Sequence, residues 1–503
     1  MLEPRYRWTF PAAVVVDPAI SAEATRAGLS ARAVEVLVRR GLLDAAELRA
    51  FLAEPEAALH DPRLVPDAAA QARGIDVLVT DHHRVPPELP PAVAVVNPHR
   101  PDSVYPDPRL SGSGVAFKVA QLVLGGLPGG AADALGLAEL AMIGTVSDVA
   151  PVMGENRAIA RLGLARMRSE PRPGIAALLG RAGIARSSID LETIAFAIAP
   201  RINAAGRVGE ALDAARLLLT EDAAEAAELA ERLEAANGTR RELTKVALEE
   251  AQRLADTEPA GRGAIVVRGD WPVGIVGLVA SRLAEDRGRP AVVGANMRDA
   301  TGDIVRASCR SAGGVDLAAV LEGCRDLLVR FEVERGRWDA VRERFLGLVG
   351  DGPPADQRPE LALDLALPAA AVDYPLLREL ALLAPTGPGN PEPLVAIFGL
   401  TATRVRAANG GHTQLTLRRE RDVLDSIAFG RADLAESVQE GDRVDVVARL
   451  ASRTFGGYES LQLEIRDVTT SGYHAAASAA SLLQVGDSSG AEEPATIPAG
   501  AAS

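Results

Sequence analysis

The stretch Ile75 to His83, IDVLVTDHH, ends an apolar, β-branched run in one carboxylate and two imidazoles, a combination that marks a candidate metal site. In open α/β sheets ligands gather beyond the carboxyl ends of the strands, and Asp81, His82 and His83 fall there if Val77 to Thr80 is a buried parallel strand. The alternative is that Asp81 caps a turn and both histidines are solvated. A second constellation is RINAAGR, Arg201 to Arg207, read as a loop leading into the apolar helix of VGEALDAARLLLT. Arginines flanking an Asn and a Gly can hold a phosphate through guanidinium and backbone N–H groups. Surface arginines on a helix-entry loop are the competing reading.

The elements that must position these residues follow from apolar spacing. Residues from about Ser30 to Leu59 predict two short helices in an N-terminal helical cap over 1–66. A second apolar run, Val93 to Val96, precedes the polar cluster Asn97 to Arg100 and predicts another strand. Helices are expected over Gly114 to Leu124 and Ala131 to Val146, which places Asp148 just past a helix end. From Glu221 to Thr257 the chain has no proline and one glycine, so a long, mostly solvated connecting helix is expected over 221–258. GAIVVRG, the helix around Ile275 to Glu285, PAVVGA and IVRASCRS form a compact α/β unit over 259–350. Five short alternating runs within 357–470 suit a small barrel such as an OB-fold, and the Ala-, Ser- and Gly-rich stretch 471–503 reads as a disordered tail. The fold class is therefore α/β, with a parallel-sheet domain over 67–220, a connecting helix, a smaller α/β domain and a C-terminal β-barrel.

Composition sets limits on partners. The 503 residues carry a net charge of −14, which slows encounter with polyanions unless basic residues are segregated into a groove. Apart from Lys118 and Lys245 the basic residues are arginines, whose planar guanidinium forms bidentate contacts with phosphate and stacks on bases. Two cysteines, Cys309 and Cys324, argue against a disulfide framework or a thiolate zinc site and for a reducing compartment. The start MLEPRYRWTF lacks the pattern of a secretory signal and no apolar run approaches a membrane span, so the cytoplasm and no membrane partner are expected.

Taken together, the segments resemble the DHH phosphoesterase superfamily and, within it, the RecJ family of single-strand exonucleases. The matching pieces, in order, are VTDHH (79–83), VNPHRPDSVYP (96–106), LSGSGVAFKVAQ (110–121) and GTVSDVAPV (144–152). PRINAAGRVGEALDAARLLLT (200–220), WPVGIVGLVASRLAEDRGRPAVV (271–293), ASCRS (307–311) and APTGPGNPEP (384–393) continue the series. The resemblance implies a 5′ to 3′ exonuclease that feeds single-stranded DNA between a DHH and a DHHA1 domain, the DNA end being presented by a single-strand-binding protein or a helicase. It implies two divalent cations, Mn2+ or Mg2+, because attack on an anionic phosphodiester requires charge neutralisation and an oriented hydroxide, which two ions roughly 3.5 to 4 Å apart supply. On this pattern His82 and Asp148 are metal ligands, His83 faces the scissile phosphate as a catalytic residue and Asp81 orients the pair. Arg201, Asn203 and Arg207 form the phosphate-contacting segment, and Arg310 and Ser311 of ASCRS add substrate contacts.

Two pieces of the family pattern are missing. No Asp-x-Asp motif and no later isolated aspartate precede the DHH motif, because HDPRLVPDAA (60–69) passes almost directly into ARGIDVLVTDHH. Nor is there a GGHxxAAG motif, because DLLVRF (326–331) continues as EVERGRWDAVRERF. Two divalent ions bring four positive charges, whereas the recognised ligands offer the carboxylates of Asp81 and Asp148 and two neutral imidazoles. At most one weakly held cation and strongly reduced hydrolysis are therefore expected. The barrel keeps a separate argument for nucleic acid, since Arg404, Arg406, Arg418, Arg419 and Arg421 accompany Phe429, Phe455 and Tyr458. Those aromatics could equally be core and those arginines a solvated edge. Three functions follow: a RecJ-type exonuclease, a catalytically impaired single-strand-binding protein of the same descent, and a small-nucleotide phosphodiesterase.

Overall fold

The computed structural model describes residues 2–42, 44–53, 55, 78–85, 89, 92, 94–257, 261–299, 302–312, 314–328, 332–350, 360–455 and 458–474. The chain divides into two compact units, one built from 1–59, 151–158 and 358–503, the other from 60–150 and 159–357. HDPRLVPDAA, most of the expected tail and the end of DLLVRF lie outside the described residues.

In the first unit the barrel forms from five strands: β10 (Val395–Ala408), β11 (His412–Arg419), β12 (Asp422–Ala428), β13 (Arg443–Phe455) and β14 (Tyr458–Thr470). They pair in the order β11-β12-β14-β13-β10, and β10 closes the barrel by pairing with β11. All pairs are antiparallel except β12 with β14. This is the five-stranded closure of an OB-fold, which removes free sheet edges. Beyond the expected runs, β9 (Leu365–Leu367) adds to β10 in parallel, and β1 (Arg7–Thr9) pairs in parallel with β8 (Glu360–Ala362).

The two helices expected over Ser30 to Leu59 form as Ala31–Arg39 and Ala45–Leu52, and a third, Pro18–Arg26, precedes them. Pro18–Arg26 starts on Asp17, Ala31–Arg39 on Ser30 and Ala45–Leu52 on Asp44, each N-cap oxygen accepting a backbone N–H of the first turn. Their apolar faces, including Ile20, Val36, Leu37 and Leu48, share one core with Leu367, Val395, Ile397 and Leu463 of the barrel. Residues expected to form separate regions at 1–66 and 357–470 thus contribute to a common core. Two buried polar fasteners hold it. Asp467, fully buried, accepts from the amides of Arg5 and Tyr6 and, at 2.8 Å, from the indole Nε1 of Trp8. Arg157 donates to the carbonyls of Phe51, Leu382 and Ala384 and covers the Phe51 ring at 3.7 Å. The APTGPGNPEP segment serves this brace: buried Asn390 donates to the carbonyls of Leu383 and Pro385 and accepts from Arg40.

In the second unit β2 (Leu78–Thr80) and β3 (Ala94–Val96) form a two-stranded parallel sheet followed by helices. The expected helix over 131–146 is broken into Gly130–Leu135 and Ala138–Ser147 at Gly136 and Leu137. The helix Ala223–Asp256 spans 34 residues and leads to a sheet of β4 (Ile265–Gly269), β5 (Ala291–Asp299), β6 (Gly302–Arg310) and β7 (Glu332–Glu334), in that order. Among the described residues, no helix is long and apolar enough to cross a membrane. Both cysteines are free thiols.

Candidate functional site: an incomplete metal pair and an arginine cluster

The β2 strand is parallel and delivers the DHH residues at its end, but it is not the buried strand expected, since Leu78 and Thr80 are exposed. The Asp81 amide donates to the Val96 carbonyl, extending the β2–β3 ladder by one residue. Asp81 Oδ1 then accepts from the amides of His82 (2.8 Å) and His83 (3.3 Å) and lies 2.7 Å from His83 Nδ1. Burial alone raises the Asp81 carboxyl, but the His83 ring, the two amides and the His83 charge outweigh it and hold the group below the usual aspartate range. Because a carboxylate only accepts, it keeps the His83 proton on Nδ1 and leaves Nε2 free on a side chain that is 76% exposed. Asn97, buried, fixes the loop from the other side by donating to the His83 carbonyl and accepting from the His99 amide.

His82 points elsewhere. Its Nε2 lies 3.4 Å from Asp148 Oδ2, bringing together the two residues expected as metal ligands. Glycines make the approach feasible: a Cβ on Gly112 would stand 3.3 Å from His82 Cδ2, and one on Gly144 would stand 2.3 Å from Ser113 Oγ. The helices Gly112–Leu124 and Ala138–Ser147 can therefore pack closely, with Ser111 Oγ 2.9 Å from Thr145 Oγ1.

Asp148 ends its helix against local preference. A carboxylate at a helix C-terminus meets the negative end of the dipole, at a cost of about 0.3–1 kcal/mol. The next residue is more unusual. Val149 N–H donates to Val146 and Ala150 N–H to Thr145, the two bonds of a Schellman motif whose left-handed position normally takes glycine. Val149 occupies it at φ 57°. Two adjacent departures from local preference are what a functional site leaves in a sequence. Val149→Gly is expected to stabilise the protein by about 1 kcal/mol in denaturant unfolding, since the β-branched side chain is strained there; unchanged or lower stability would show that the backbone there is relaxed.

The donor set falls short of a two-ion centre. Asp81 is committed to His83 and two amides, His82 and Asp148 converge, and among the described residues no group of three or more His, Cys, Asp or Glu is placed to hold a metal. Among the described residues, the donors do not fit a pair of divalent ions.

The second constellation is a helix, not a loop. Ala199–Val208 buries Ala199, Ala204 and Ala205 and leaves Asn203 and Arg207 exposed. Arg201 is engaged structurally, paired with Glu234 and donating to the Ala197 carbonyl. Arg207 donates to the Gly274 carbonyl at 2.9 Å, and a Cβ on Gly274 would stand 2.3 Å from the Arg207 carbonyl oxygen, so glycine permits this contact between helices. Arg310, at the end of β6, is splayed by Ser281 Oγ, Ser308 Oγ and the Cys309 carbonyl. Ser311 is exposed and donates to the Val315 carbonyl.

Arg207 and Arg310 belong to a larger cluster that sequence spacing did not reveal. Desolvation, then the Arg310 guanidinium, pulls Arg207 below the usual guanidinium value. Desolvation, followed by Arg207, Arg241 and Arg282, does the same to Arg240. Arg241 pairs with Glu234, but Arg207, Arg240, Arg282 and Arg310 have no carboxylate partner among the described residues. The Arg240 Nε is buried without a hydrogen-bond acceptor. Like charges gathered without counter-charge form a site for an anion with several oxygens, as a phosphodiester backbone has.

On the barrel, Arg404 and Arg406 line a groove of about 160 Å³ with Gln414, Thr416, Asp425, Ser460 and Gln462. It is lined by β10, β11, β12 and β14, and so includes the second and third barrel strands, on whose face OB-folds take oligonucleotides. Arg419 is occupied by the Phe398 carbonyl. Phe429, 51% exposed, stands edge-on to His412 at 5.1 Å. Antiparallel pairing puts Arg418, Arg419 and Arg421 at one end of the β11–β12 hairpin and Phe429 at the other, so these residues do not form one patch. The side chains of Phe455 and Tyr458 lie outside those described.

Comparison with known proteins agrees with this layout. The model of the DHH family N-terminal domain matches residues 59–145, and that of the RecJ OB domain matches 363–467. The single-stranded-DNA-specific exonuclease RecJ of Bacillus subtilis is 34% identical over 82% of this chain and 53% of its own length. RecJ of Thermus thermophilus is 33% identical over 78% of this chain and 56% of its own length. RecJ of Escherichia coli is 31% identical over 79% of this chain and 74% of its own. The chain thus spans about half the length of the first two relatives. The crystal structure of Thermus thermophilus RecJ in complex with Mn2+ superposes with a TM-score of 0.71 at 26% identity, covering 93% of this chain and 80% of that one. At 31% identity over 79% of this chain and 74% of the Escherichia coli relative, the chain belongs to the RecJ family of single-stranded-DNA-specific exonucleases.

Proposed function

We propose that the chain binds single-stranded DNA and hydrolyses it from the 5′ end as a RecJ-type exonuclease, at a rate far below that of a complete two-ion centre. The observation that carries the binding is the arginine cluster around Arg207, Arg240 and Arg310, which gathers positive charge without carboxylate partners on a chain of net charge −14. Family membership supports the choice of substrate. The groove at Arg404 and Arg406 is a second surface for the same polymer.

Within the DHH loop, Asp81 orients His83, and the free Nε2 of His83 is the atom placed to exchange a proton with a phosphate oxygen. His82 and Asp148 would hold at most one cation, manganese or magnesium by the hardness of their donors. Because only these two converge among the described residues, a second reading, a single-strand-binding protein without hydrolysis, has its own support. A helicase or single-strand-binding protein that exposes a DNA end is the partner class both readings need.

An oligonucleotide labelled at either end and incubated with Mn2+ separates them. Slow release of mononucleotide from the 5′ end supports the exonuclease. Intact DNA held in a salt-sensitive complex supports the binding protein. Cleavage of a dinucleotide with no attack on a long strand would contradict both and indicate a small-nucleotide phosphodiesterase.

A further inference from the structure

The helix bearing Asn203 and Arg207 is irregular just before it reaches them. Pro200 has no N–H for the carbonyl of Phe196, four residues back, and its ring crowds that carbonyl. The backbone adopts a wider turn: Ile194–Ile198 is π-helical, and the Ala199 amide donates to Ile194, five residues back. Such single wide turns occur frequently at functional sites. Ile194 and Ile198 are fully buried, whereas Phe196 between them is 80% exposed. The segment is anchored on both sides and one ring is turned out.

A lone exposed apolar side chain ordinarily needs no explanation. Phe196 differs by its company. Only 3% of this chain is aromatic, so an exposed phenyl ring is a scarce feature. Beyond the wide turn, positions 200, 203 and 207 follow the spacing of a single α-helix face, and Phe196 within the turn, Asn203 and Arg207 are all exposed. An aromatic face, an amide and a guanidinium are thereby set along roughly 16 Å of helix, with the arginine cluster at the far end. Alternating a π-face with cationic groups is how sequence-tolerant proteins hold a single strand, the cations taking phosphates and the ring taking a base.

We infer that Phe196 is a base-stacking residue, presented by the Pro200-induced wide turn, for the single strand whose phosphates the Arg207 cluster holds. The inference rests on the single-strand-binding reading above. Stacking is not an ion-pair contact, so its loss lowers affinity without changing the dependence on salt.

The test is titration of a fluorescently labelled oligothymidylate into the full chain, as wild type, Phe196→Ala and Phe196→Trp, at several salt concentrations. Phe196→Ala is expected to weaken binding about 10-fold, the range for loss of one stacked base being about 5- to 150-fold, with an unaltered salt slope. Phe196→Trp is expected to retain affinity and to add indole fluorescence that the oligonucleotide quenches. Wild-type binding with no loss in Phe196→Ala would overturn the inference and leave the binding reading standing. Equal loss in Phe196→Trp, or a reduced salt slope in Phe196→Ala, would also overturn it, since any disturbance of the helix would then suffice. Failure of the wild type to bind would overturn both.

Discussion

The double variant Arg207→Ala/Arg310→Ala is expected to lose about 150-fold in affinity for single-stranded DNA, taking about 1.5 kcal/mol for each charged contact with phosphate. It should also reduce the slope of log affinity against log salt by about 1.4, since each phosphate contact on a single strand contributes about 0.7. Four guanidinium groups stand together without carboxylate partners among the described residues, and the two with the most defined seats are these. Arg207 is positioned by the Gly274 carbonyl, and Arg310 by two serine hydroxyls and the Cys309 carbonyl. Neither side chain holds an ion pair, so removing both should leave the melting temperature nearly unchanged. A double variant that binds DNA as the wild type does would remove the cluster from the account.

The second large effect concerns stability of the barrel unit. Asp467→Ala is expected to destabilise it by about 3 kcal/mol in denaturant unfolding, because buried donors left without an acceptor each cost about 1–3 kcal/mol. Three donors depend on that carboxylate: the amides of Arg5 and Tyr6 and the Trp8 indole. Arg431, 3.7 Å away and almost fully buried, would also lose its nearby charge. Trp8 packs with Phe398 and Val447 in a small core, so its loosening should be visible as a red shift of tryptophan emission before global unfolding. A loss under 1 kcal/mol would mean that the N-terminal strand β1 contributes little to this unit.

Much of this was legible in sequence, for reasons that differ from place to place. The run Val77 to Thr80 ending in Asp81 was readable because a β-branched stretch followed by polar donors has few other readings, and β2 ends at Thr80. The barrel strands were readable from alternation, although their lengths were underestimated, because strand ends that project past the core carry no apolar signal. RINAAGR reads locally as a loop but is helical. Its Asn and Gly favour turns, but the buried stripe Ala199, Ala204 and Ala205 packs it as a helix, and packing overrides weak local propensity. The grouping of the barrel arginines with Phe429 failed for another reason: neighbours in sequence are carried to opposite ends of a hairpin by its register. The sharing of one core by N-terminal helices and a C-terminal barrel depends on contacts over hundreds of residues, which no local pattern encodes. Val149 illustrates the limit from the other side, since a left-handed position occupied by a β-branched residue contradicts the rule that would have located it.

We propose that the chain holds single-stranded DNA while its metal donors, among the described residues, are reduced to His82 and Asp148. Calorimetric titration of Mn2+ into the purified, metal-free protein tests it most directly. At most one ion per chain is expected, bound weakly, with that binding abolished in Asp148→Ala. Two ions bound tightly and in stoichiometric amount would contradict it.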